Sequence, residues 1–115
     1  MTAMEKVAQS FGRSAKWAEA VPGHMEHFYG FIGDGIANCA PLEPKTMQLI
    51  ILAVGVANGS EACIYQHTSM FIDAGGTREE FVAGLNAVIM AAGGLAWGSA
   101  GFALEVFDEL AEAKK

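Results

Sequence analysis

An all-α fold, a single domain built as a bundle of about six helices, is the architecture that the sequence predicts, and three observations predict it. Apolar residues recur at three- and four-residue spacings along most of the chain and nowhere alternate with the period of two that a half-buried strand requires. Prolines and glycine pairs cut that pattern into segments of helical length. The 115 residues amount to one domain, 1–115, since domains commonly run about 100–150 residues.

Met4, Val7, Ala8, Phe11, Ala15 and Ala18 form the stripe of a first amphipathic helix over residues 3–20, which Pro22 and Gly23 end. From Pro22 a second helix runs through Met25, Phe28, Tyr29, Ile32 and Ile36. Its Gly30, Gly33 and Gly35 each cost up to about 1 kcal/mol against alanine and suit close helix packing. The segment from Asn38 to Pro44, with Cys39, Pro41 and Pro44, cannot be regular helix, because each proline lacks a donor and turns its predecessor from the helical region. A third helix begins near Pro44 and stops at Asn58-Gly59. It is apolar nearly all round from Leu49 to Ala57 and is expected to be the central buried helix. Ser60 stands at an N-cap, opening a fourth helix to about Ala74 that Gly75-Gly76 breaks. Thr77-Arg78-Glu79-Glu80 is a capping box ahead of the helix Phe81 to Ala92. After Gly93-Gly94 a last helix runs from Ala96 through Phe102, Val106 and Leu110 to a charged tail, Glu112 to Lys115.

Composition narrows the function. A hydrophobic share of 52% against 17% charged residues is high for so small a body, so apolar surface is left over and a homo-oligomer is expected rather than a monomer. The net charge of -6, with seven scattered Lys and Arg, excludes nucleic acid as a partner. No charged-then-apolar leader opens the chain, and its longest apolar run falls far short of the roughly 18 residues of a membrane span. A cytoplasmic protein without a membrane partner is the expectation. Two cysteines, Cys39 and Cys63, are too few for a disulfide scaffold.

Cys63 lies three residues after the Ser60 cap, in a first turn whose unpaired N–H groups and helix dipole favour negative charge. His67 follows at i+4 on the same face, where a histidine can take a thiol proton or stabilise a thiolate. The same pair also suits plain packing, since free cysteines are among the most buried residues. His24 and His27 supply half of a metal site at most, and no third ligand clusters with them, so no metal is expected. Cys39, on the Pro-bounded connector, could resolve an oxidised Cys63 if their α-carbons came within about 7 Å. Trp17, Trp97, Phe102, Phe107, Met70 and Met90 read as core or interface, and no cofactor is implied.

The run from Leu42 through Lys45 and Gln48-Leu49 to Val54, then Ser60-Glu61-Ala62-Cys63-Ile64-Tyr65-Gln66-His67, Ala74-Gly75, Thr77 to Phe81 and Gly93-Gly94, resembles the carboxymuconolactone decarboxylase family and its alkylhydroperoxidase D-like branch over residues 24–110. The branch carries C-x-x-C-x-x-x-H on a helix that follows a buried helix opening with K-x-x-E-L. Cys63 matches its second cysteine and His67 its histidine. Ser60 stands at the first cysteine, and Gln48 at the glutamate that relays protons. The resemblance implies an alkylhydroperoxidase D-like helical fold, assembly as a trimer or hexamer, and thiol-dependent peroxide reduction. The dithiol cycle cannot close at the motif without a second thiol, and Gln48 can hydrogen-bond but not exchange a proton near pH 7. In decarboxylase members the position of Cys63 is often a glutamate.

Three readings follow. In the first, Cys63 attacks a peroxide, His67 handles the proton, and an external thiol or Cys39 reduces the product, with Gln48 and Ser60 in support. In the second, the scaffold is an assembly protein or holds a small apolar ligand without catalysis. In the third, His67 abstracts a proton from a lactone or related carbon acid.

Overall fold

Hydroxyl side chains or a proline start four of the six helices, and glycines precede the other two. The computed structural model describes residues 1–115 and consists of α1 (Ala3–Ala20), α2 (His24–Ala37), α3 (Pro44–Ala57), α4 (Glu61–Asp73), α5 (Arg78–Ala92) and α6 (Leu95–Ala113), with no strand. Thr77 caps α5 as predicted. Its hydroxyl accepts from the Glu80 N–H at 3.2 Å, and its own N–H donates to the Glu80 carboxylate at 3.0 Å. The same box precedes α1, where Thr2 and Glu5 exchange bonds of 3.0 and 3.1 Å. Pro44 opens α3 in the first turn, where its missing N–H forfeits no bond. The last helix runs on through Glu112 to Ala113, so the first half of the expected charged tail is helical.

The core is built where α3, α4, α5 and α6 converge. Leu52 and Val56 of α3, Ile64 and Phe71 of α4, Phe81 and Leu85 of α5, and Val106, Phe107 and Leu110 of α6 are buried together. Phe81 and Phe107 stack with ring centroids 4.7 Å apart, and Phe71 lies 5.8 Å from Phe81. Ala96, Ala100 and Ala103 give α6 a face of small residues that lies buried against this core. For that reason α6, rather than α3, is the most enclosed helix, with six buried residues. The expectation that α3 is the central buried helix is corrected. Its Gln48, Leu52, Gly55 and Val56 point inward, while Ile50 and Val54 face outward, because α4, α5 and α6 do not enclose the whole helix.

One further expectation changes. The glycines of α2 do not serve close packing within the chain, since a Cβ at Gly30, Gly33 or Gly35 would meet nothing within 4 Å. The helix rests chiefly on α1 and has no buried residue. Phe107 is core, but Trp17, Trp97 and Met90 stand on the surface. No helix is long and apolar enough to cross a membrane.

Candidate functional site

The turn between α3 and α4 sets the site. Gly59, with φ of 67°, takes the left-handed conformation that ends α3. The Ser60 N–H then bonds the Gly55 carbonyl at 2.9 Å while the Gly59 N–H bonds Val56 at 3.1 Å, the paired closure of a Schellman motif. That closure delivers Ser60 as the N-cap of α4, and its Oγ accepts from the Cys63 N–H at 3.3 Å. Cys63 therefore occupies the first turn, as the spacing predicts. His67 lies one turn further on the same helix.

Gly55 carries no local signal that would single it out before the helices are packed. A Cβ there would sit 2.7 Å from the Cys63 Cβ, closer than two such atoms can stand, so α3 and α4 meet at the cysteine because position 55 has no side chain. Gln48, two turns earlier on the same face of α3, is 6% exposed, and its Oε1 lies 2.8 Å from His67 Nδ1. Burial lowers the His67 pKa below its usual 6.5, so the ring is neutral at pH 7. The Cys63 thiol makes no direct hydrogen bond to His67, although the two are half-buried neighbours one turn apart on α4.

On its side toward α1, α4 is tied by Gln66, whose amide donates to the buried Ser10 hydroxyl at 3.1 Å, and Ser10 in turn donates to the Val7 carbonyl at 2.7 Å. Thr68, fully buried next to His67, has a hydroxyl without any partner. Both polar positions lack a signal in the sequence, because their meaning depends on which helix faces them. Cys39 stays on the connector, where its Sγ donates to the Leu42 carbonyl at 3.2 Å, and both cysteines are free thiols. His24 and His27 are exposed at the start of α2. An apolar depression of about 280 Å³ lies elsewhere, between α5 and α6, lined by residues including Leu85, Asn86, Ile89, Trp97 and Leu104.

A helical bundle with a cysteine and a histidine one turn apart, on a capped helix packed against a second helix through glycine, is the framework defined here. The chain belongs to the carboxymuconolactone decarboxylase family, whose model matches residues 22–107. Its fold is similar to the crystal structure of an apo carboxymuconolactone decarboxylase family protein from Legionella pneumophila. The TM-score is 0.83 and the identity 27%, and the match covers 94% of this chain and 96% of that one. No curated protein matches the chain.

Proposed function

We propose that the protein reduces hydroperoxides with the Cys63 thiol as nucleophile and His67 as proton carrier. The observation that carries this reading is the neutral, half-buried imidazole of His67 one turn after a cysteine in the first turn of a capped helix. A neutral histidine can accept the thiol proton, and the sulfur then attacks one peroxide oxygen. The O–O bond breaks, the sulfur becomes a sulfenic acid, and the departing alkoxide takes the proton from His67 to leave as an alcohol. Ser60 offers no second sulfur in the motif, and Cys39 is turned onto Leu42, so reduction falls to two molecules of an external thiol. The first displaces water from the sulfenic acid to give a mixed disulfide. The second releases Cys63 and carries the oxidation away as a disulfide.

Stoichiometric alkyl hydroperoxide followed by a sulfenic-acid trapping reagent is expected to label Cys63 and spare Cys39, as read by peptide mass spectrometry. His67→Ala is expected to slow peroxide consumption by about 100-fold. An unlabelled Cys63, or consumption unchanged in Cys63→Ser, overturns the reading.

The apolar depression between α5 and α6 favours a second reading, in which the scaffold holds a small apolar ligand oriented by Asn86. Its test is quenching of Trp97 fluorescence by a small hydrophobic probe, retained in Trp17→Phe and lost in Trp97→Phe. The absence of saturable quenching removes it.

A further inference from the structure

Gln48 and His67 meet between α3 and α4, and the chemistry of an amide restricts how they do so. The atom of Gln48 that lies 2.8 Å from His67 Nδ1 is the carbonyl oxygen Oε1, which accepts and cannot donate. The hydrogen between them therefore sits on Nδ1. A neutral imidazole carries one N–H, so Nε2 keeps its lone pair. No other side chain bonds the ring, and burial alone sets its protonation, with no charged group contributing. The contact is enclosed, because Gln48 is almost fully buried on the α3 face that also carries Gly55. A carboxylate in this position would accept the same bond but would also favour the imidazolium, and could itself take up a proton. An amide does neither.

We infer that Gln48 is a positioning residue that fixes His67 as its Nδ1–H tautomer, leaving Nε2 as the one proton-accepting atom and His67 as the only proton carrier of the site. The inference deepens the peroxidase reading, on which it rests for the use made of the proton. The thiol proton of Cys63 goes to Nε2, and the same proton returns from Nε2 to the departing alkoxide. Nδ1–H remains bonded to Gln48 throughout, and no proton leaves through α3.

The tautomer is read by long-range proton–nitrogen correlation on 15N-labelled protein at pH 7.5, with the His67 signals identified by their loss in His67→Asn. The expected pattern is a protonated Nδ1 and a bare Nε2 at His67, against an average of both tautomers at the exposed His24 and His27. A protonated Nε2, or an averaged pattern, at His67 overturns the inference. In Gln48→Leu the pattern is expected to collapse to that of the two exposed histidines, and its persistence also overturns the inference. Gln48→Glu preserves side-chain size and serves where the leucine variant does not fold. There the Nδ1–H is expected to remain while the titration midpoint of His67 rises by about one pH unit or more, and the pH profile of Cys63 alkylation moves with it. An unmoved midpoint counts against the role. A wild-type protein that shows the expected tautomer but consumes no hydroperoxide removes the peroxidase reading and leaves the role of Gln48 standing.

Discussion

Gly55 and Cys63 touch so closely that the smallest added side chain reports on the site. In Gly55→Ala the new methyl lands on the Cys63 Cβ, an atom fixed to the α4 backbone that cannot swing away, so the two helices must part. Overpacking of this kind costs about 1–3 kcal/mol. Urea unfolding is expected to show that loss, and alkylation of Cys63 is expected to change rate while that of Cys39 does not. His67 supplies a second residue-scale prediction. Its pKa in the folded chain is lowered by burial, so as the pH falls below 6.5 the unfolded chain takes up a proton that the folded chain refuses. The stabilisation is fully present above pH 6.5 and is lost as the pH falls through the folded value. The two acidic groups with shifted pKa values, Glu80 and Asp108, titrate lower still, so His67→Gln is expected to flatten the stability profile just below pH 6.5. A slope unchanged in that variant assigns the effect elsewhere. Cys63, His67 and Ser60 could be picked out in the sequence because a capping serine and a fixed spacing on one helix are local facts, and Gln48 could be picked out only through the family resemblance. Gly55, Ser10 and Thr68 could not, because each acquires its meaning from the helix opposite.

At the scale of the elements, the ends of helices were more legible than their faces. A capping box is written in four consecutive residues, so the start of α5 at Thr77 follows from the sequence, and the matching Thr2-Ala3-Met4-Glu5 at the start of α1 carries the same signal. Which face of a helix is covered is not local. The apolar run Leu49 to Ala57 reads as a central buried helix, yet Ile50 and Val54 face outward, because the partners of α3 cover only part of its circumference. The carboxylate of Glu80 also receives Lys45 of α3 at 2.9 Å, so the cap of α5 joins two helix N-termini. Thr77→Ala is expected to cost about 1 kcal/mol in thermal or urea unfolding, the usual worth of an N-cap. Lys45→Ala is expected to cost less, since an ion pair at the surface that is only partly shielded from water contributes little. The reverse order would mean that the ion pair, rather than the cap, holds α5 in place.

At the scale of the whole molecule, several large apolar side chains stand bare on the surface. Phe31 is 78% exposed, Met90 82%, Leu95 91% and Trp97 70%. A helix of 14 residues weakened by three glycines is marginal by itself, and α2 has no fully buried residue within the chain, only partly buried ones such as Met25, Ile32 and Ile36. Packing of α2 and the bare faces of α3, α5 and α6 against further copies of the chain would account for both facts, and it is the expectation that the mass in solution tests. Each copy carries a net charge of -6, so such a contact would be made by apolar faces against mutual repulsion, and added salt is expected to strengthen it. Light scattering is expected to give a mass above twice the 12.1 kDa of one chain, with a trimer or hexamer as the expected state. Phe31→Asp is expected to lower that mass and, with α2 no longer held, to reduce helical circular dichroism, while the buried cluster of Phe71, Phe81 and Phe107 keeps the rest folded. A mass near 12.1 kDa for the parent protein at micromolar concentration refutes the assembly. An oligomer unaffected by Phe31→Asp places the contact on α3, α5 and α6 alone and leaves α2 outside it.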